Sequence, residues 1–160
     1  MSDAKFKTMR HIETVRNYLN SCIKILIYRA ETHDQSKLES PEVEIFEEYT
    51  PKLRDCTYGS DEYKTYLKDM QVALDHHYLF NSHHPEHHGY GIHSMNMFDL
   101  LEMVVDWRAA GMRHNDGNIY RSIEINKKRY EMSNELAGLL ARTIEYIEEQ
   151  GRTVNKANES

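Results

Sequence analysis

The chain has 160 residues, 39% hydrophobic and 29% charged, with 7 Gly, 3 Pro and a formal net charge of -6. That length fits one domain and can bury a core without disulfide or metal staples. The acidic balance argues against duplex nucleic-acid binding by charge, and the scarcity of Gly and Pro argues against a many-stranded sheet. No run approaches membrane-spanning length and no N-terminal segment has the form of a signal peptide, so a soluble cytoplasmic protein is expected. Cys22 and Cys56 form no CxxC pair and are read as reduced thiols.

A first helix is predicted from Lys5 to Thr32. His11, Val15, Tyr18, Cys22 and Leu26 step by four, three, four and four along one face, so His11 is expected to point inward. A break follows at His33-Asp34-Gln35-Ser36-Lys37. Ser40 and Pro41 then read as N-cap and first residue of a short helix ending near Pro51, with Glu42 and Glu44 suited to its positive N-terminus. Tyr58-Gly59-Ser60 reads as a turn.

A third helix is expected from Asp61 to Asn81, with Leu67, Met70, Leu74, His77 and Asn81 on one face. A polar loop, Ser82 to His93, follows. Five of the chain's ten histidines lie between His83 and His93, which calls for a chemical reason. A fourth helix, Ser94 to Ala110, carries an apolar ridge of Phe98, Leu101 and Val105 beside a face with Met95, Asp99, Glu102 and Asp106. After a loop, Gly111 to Asn118, two more helices are expected, Ile119 to Tyr130 and Asn134 to Gln150, the last capped by Ser133. The tail from Thr153 is polar.

His33-Asp34, at a helix end, places an imidazole and a carboxylate side by side. Both are good ligands for Mn, Fe, Co, Ni or Zn. His11 reads either as a core histidine or as a further ligand. Asp106 follows Val104 and Val105, and a buried carboxylate there needs a metal or a cation such as Arg108 or Arg113. Glu102, one turn before Asp106, can be a ligand, a water-positioning base or a partner that orients a histidine. Lys37 can hold a substrate phosphate. Asn126 and Arg129 share a face at i and i+3, and Arg129 with Arg113 can supply a guanidinium fork for phosphate.

The order His, His-Asp, Asp resembles the HD metal-dependent phosphohydrolase superfamily. His33 to Lys37 is similar to the HDxxK stretch of HD-GYP-type phosphodiesterases, and His83 to Gly91 is similar to their His-rich stretch. The spacing from His77 to His83 is shorter than in that group and the GYP proline is absent. Nearly the whole chain is also similar to an uncharacterised family of bacteria and phages. Its motifs are HDxSK (here His33 to Lys37), YGSxEY (Tyr58 to Tyr63), HHYxxNxHHPEH (His76 to His87), DLxEMxxDWxAA (Asp99 to Ala110) and SIxxNxxR (Ser122 to Arg129).

The resemblance implies an all-α fold: one HD-like helical domain of about five to six helices over residues 1–152, and a tail over 153–160. It implies one or two divalent transition metals. His11, His33, Asp34 and Asp106 would hold the first. His76 or His77, with His83 or His84, would hold the second, with His77 preferred. His87 stays open, and His88, His93 and His114 read as surface residues. The reaction implied is attack of metal-activated water on a small phosphate ester, a nucleotide fitting best, with Asp34, Lys37 and Glu102 as the reacting groups. Arg113, Asn126 and Arg129 would bind the substrate. Partners reduce to that small molecule and a homo-oligomeric copy, with no membrane. Two rival readings remain: a catalytically silent metal- or nucleotide-binding regulator, and a protein whose histidines are structural.

Overall fold

The computed structural model describes residues 3–55, 60–112 and 117–158, and the side chains of all of these except 54, 55 and 152–158. The described residues form seven α-helices and no strand. The expected all-α class is what the chain adopts. They fall into two compact units, residues 1–35 and 36–160.

The first unit is essentially one helix, α1 (Asp3–Thr32). None of its residues is buried. Val15 is 43% exposed and Tyr18 71% exposed, while Cys22, a free thiol, and Leu26 are half-buried. The chain leaves the helix through Asp34, whose φ of 56° lies in the left-handed region. Glycine favours that conformation, and Asp and Asn are the side chains that tolerate it best.

The second unit holds α2 (Glu42–Asp55), α3 (Asp61–Asp69), α4 (Gln71–Phe80), α5 (Met97–Gly111), α6 (Ile119–Arg129) and α7 (Asn134–Asn158). Its core lies where α5, α6 and α7 pack together: Leu100, Met103, Val104, Ile119, Ile123, Ala137, Leu140 and Ile144, closed by Ile92 and Met132. Helices α2, α3 and α4 form a second group of packed helices.

Several boundaries differ from the sequence expectation. Helix α2 opens at Glu42, after a cis Ser40–Pro41 bond, and runs through Pro51 to Asp55. The helix expected from Asp61 to Asn81 is two, divided at Met70, whose backbone N–H still reaches Tyr66 O at 2.9 Å. Ser60 caps the first of them, accepting from the Tyr63 N–H at 3.1 Å. Helix α7 continues to Asn158, beyond Gln150. On α5 the buried face is Leu100, Met103 and Val104, whereas Val105 of the expected ridge is 43% exposed. Leu100, Leu101, Met103, Val104 and Val105 are all apolar, so periodicity alone cannot say which of them faces α6 and α7.

Candidate metal centre

Helix α4 and the loop after it carry the site. Ala73, His77 and Asn81 stand four residues apart, hence on one side of the helix, and all three are buried. Asn81 ends the helix. Its amide donates to His77 O and to Ser36 Oγ, both at 2.8 Å. The chain then turns back, with the His84 N–H bonded to Asn81 O at 3.2 Å and Pro85 opening a 3-10 turn, Pro85–His87. This reversal brings His84 over His77. Their Nε2 atoms are 2.8 Å apart. His83, only 1% exposed, lies tilted against His84 with ring centroids 4.2 Å apart. His77, His83 and His84 each offer a ring nitrogen, and these lie within 4.8 Å of one another.

Carboxylates back the imidazoles. Glu102 on α5 has Oε1 3.1 Å from His83 Nδ1. Glu42, at the first turn of α2, is 0% exposed. Its Oε1 lies 2.7 Å from His76 Nδ1 and its Oε2 2.9 Å from His77 Nδ1. Metal-binding histidines characteristically carry such a carboxylate on the far ring nitrogen. Two ligand nitrogens ~2.1 Å from one ion would be ~3.0 Å apart at right angles and ~3.4 Å apart at a tetrahedral angle; the His77 and His84 Nε2 atoms, 2.8 Å apart, are nearest the first and are also at hydrogen-bond distance. The donor set, imidazole nitrogen with carboxylate oxygen, suits a first-row divalent ion.

The loop carrying His83 and His84 is pinned at several points. The Ser82 hydroxyl donates to Asp99 Oδ1 at 2.7 Å. His88 Nε2–H donates to Ser82 O at 2.8 Å, and His87 Nδ1–H to Tyr78 O at 2.7 Å. Glu86 accepts from the Arg129 guanidinium at 2.8 Å and the Tyr130 hydroxyl at 3.0 Å. His88 is therefore a half-buried clasp, where a surface residue was expected. His93 is exposed, as expected.

The remaining expected site residues fare differently. His11 is exposed on α1. Because α1 runs unbroken to Thr32, the 22 residues from His11 to His33 span about 33 Å at 1.5 Å each. One chain cannot place both on one ion, so His11 is removed from the ligand set. His33 and Asp34 follow α1 side by side, His33 Nε2 being 3.5 Å from Asp34 Oδ2. Asp106 lies one turn beyond Glu102 on α5, half-buried. Lys37 Nζ lies 6.0 Å from the Phe46 ring centroid, and that ring stands edge-on to His77 at 6.3 Å.

Arg129 is held by Glu86, and the Asn126 amide bonds its own helix at Ser122 O, 3.1 Å away. The Arg129 side chain is 58% exposed beside that pairing. Arg113, His114, Cys56 and the Tyr58-Gly59 turn lie outside the described residues. The sequence reading missed Glu42 as a site residue. It stands in the first turn of α2, where a carboxylate suits the helix dipole, and only the packing of α2 on α4 gives it a second role.

Fold and site together define an all-α protein with a cluster of histidines and carboxylates that can hold a metal ion. No helix among the described residues is long and apolar enough to cross a membrane. The chain belongs to the family described as "Family of unknown function (DUF5662)", whose model matches residues 1–152. No curated protein and no solved structure matches it.

Proposed function

We propose that this chain is a metal-dependent hydrolase of a small phosphate ester, a nucleotide fitting best, working in the reducing cytoplasm. The observation that carries this reading is the trio His77, His83 and His84, with ring nitrogens at ligand spacing and carboxylates behind two of the rings. His33 and Asp34 enter this reading through their HDxSK motif alone, as the resemblance to HD phosphohydrolases implies. The left-handed backbone at Asp34 supports a functional role, since such conformations cluster at working sites.

When bound, one or two divalent cations would supply Lewis acidity and a source of activated water. The chain's own groups do the rest. Glu102 accepts the Nδ1–H of His83 and so turns Nε2 into the donor atom. Lys37, whose Nζ lies over the Phe46 ring that stands edge-on to His77, is assigned to the nonbridging phosphate oxygens, where a fixed cation counters developing charge. Asp106 is assigned to the same centre from α5.

Elemental analysis of untagged protein beside Asp34→Ala tests this. The wild type should carry roughly one to two equivalents of transition metal and release phosphate or nucleoside from a nucleotide panel. The mutant should lose metal and turnover together. A metal-replete Asp34→Ala protein with undiminished turnover overturns the assignment.

One observation favours the rival reading, a metal- or nucleotide-binding regulator without turnover. Arg129, the cation expected at the phosphate, is spent on Glu86 and stacked on Tyr130. Nucleotide binding by calorimetry with no product formed under metal-replete conditions would decide for it.

A further inference from the structure

Glu42 is an acid removed from water, with both oxygens spent on adjacent histidines. A buried carboxylate is costly unless donors meet its lone pairs. Here the donors are ring N–H groups. The Asn81 amide lies 3.1 Å from His77 Nδ1, but its two N–H bonds already serve His77 O and Ser36 Oγ. An ionised carboxylate only accepts. Ser36 Oγ is farther off, 3.4 Å from His77 Nδ1, so the shortest contact of each Nδ1 is to Glu42; a carboxylate accepting from both leaves Nε2 as the lone-pair nitrogen of each neutral ring. For His77 that nitrogen faces His84 Nε2. The partner ring, His76, is half-exposed and lies over Phe80 with centroids 4.6 Å apart.

We infer that Glu42 is a positioning residue that locks His76 and His77 in the Nδ1–H tautomer, so that His77 presents a ready-made Nε2 ligand to the His83–His84 pair. The two neighbouring histidines thereby act as a unit with different tasks. His76 satisfies one carboxylate oxygen from the solvent side. His77 uses the other to fix its ring plane and its ligand atom. Before a cation enters, the short His77–His84 contact is a hydrogen bond whose proton belongs to His84 Nε2; for both Nε2 atoms to hold a cation, that proton would move by way of solvent to His84 Nδ1, so that His84 stays a neutral ring. The consequence for metal affinity rests on the reading of the site as a metal centre; the tautomer assignment does not.

Two measurements on the full chain test the inference. The first is a long-range proton–nitrogen correlation spectrum of the labelled protein without metal, at a pH where its histidines are neutral. His76 and His77 should show the proton on Nδ1. A proton on Nε2 of His77 overturns the inference. The second is a Co(II) titration, followed by visible absorption, of wild type and Glu42→Gln. The glutamine amide keeps one acceptor and replaces the other with a donor, so one histidine loses its partner. Affinity should fall roughly 10- to 100-fold, and the His77 signals should show mixed tautomers. A folded Glu42→Gln protein with wild-type Co(II) affinity also overturns the inference. If that variant does not fold, the wild-type tautomer spectrum decides alone. A wild type that shows Nδ1–H at His77 but takes up no Co(II) upholds the tautomer lock and overturns the metal reading instead.

Discussion

Asp99 is 2% exposed, and both its carboxylate oxygens accept hydrogen bonds. One oxygen takes the Ser82 hydroxyl, the other takes the Asn96 N–H at 3.1 Å, and Asn96 in turn caps α5 through the N–H groups of Phe98 and Asp99. The residue joins the helix start to the loop that carries His83 and His84. Asp99→Asn keeps the volume but sets an amide donor among donors. It should cost about 1–3 kcal/mol in urea unfolding and weaken metal uptake along with it. Unchanged stability would show that the loop does not depend on this anchor. Tyr130 makes a second residue-scale case. Burial first, and then the Glu86 carboxylate, push its phenol well above the ordinary tyrosine range. Burial likewise raises Tyr78. A raised folded-state value means stability that is complete below the unfolded pKa and lost as pH rises past it. Melting temperature should therefore begin to fall from about pH 10 upward. In Tyr130→Phe that alkaline loss should be smaller; an identical profile counts against the assignment.

At the scale of the helix, α5 separates buried from exposed apolar positions cleanly. Met103 is 1% exposed and Val105, two residues on, is 43% exposed. Met103→Ala should cost about 2–5 kcal/mol in denaturant unfolding through lost contacts and a cavity. Val105→Ala should change stability by no more than about 0.5 kcal/mol. Equal costs at both positions would mean that α5 is rotated from the orientation described. Helix α4 illustrates the opposite pressure. Its buried positions are Ala73 and His77, so a short helix gives half of its inner face to chemistry. Helix α4 packs on α2, and α2 brings Glu42.

Across the whole molecule, a ligand that binds only the folded state stabilises it by mass action, about 2.7 kcal/mol at a hundredfold excess over Kd. Saturating Co(II) or Zn(II) should raise the melting temperature of the wild type, chelator should reverse the rise, and His77→Ala should abolish it. Collapse of the apo protein in chelator would mean that the histidines are structural, because metal binding would then be part of folding itself. No rise in any variant would leave the histidine cluster as a hydrogen-bonded network alone.

The sequence by itself determined the helical class. Few Gly and Pro and a 3.6-residue apolar rhythm are local properties, and they survive whatever the chain packs against. It also marked the His-rich stretch and the chemistry such residues can support. The tertiary structure decided which of these residues meet. His77 was separated from His76 because only its Nε2 faces His84, a fact of how the chain reverses after Asn81. His11 left the site because α1 is unbroken, and length along a helix is distance in space. Arg129 pairs with Glu86, 43 residues away in the chain. Glu42 entered because α2 packs on α4 and places it within hydrogen-bond distance of residues 34 and 35 positions on. Pairing over such separations is set by which apolar faces bury together, and no local pattern in the sequence records it.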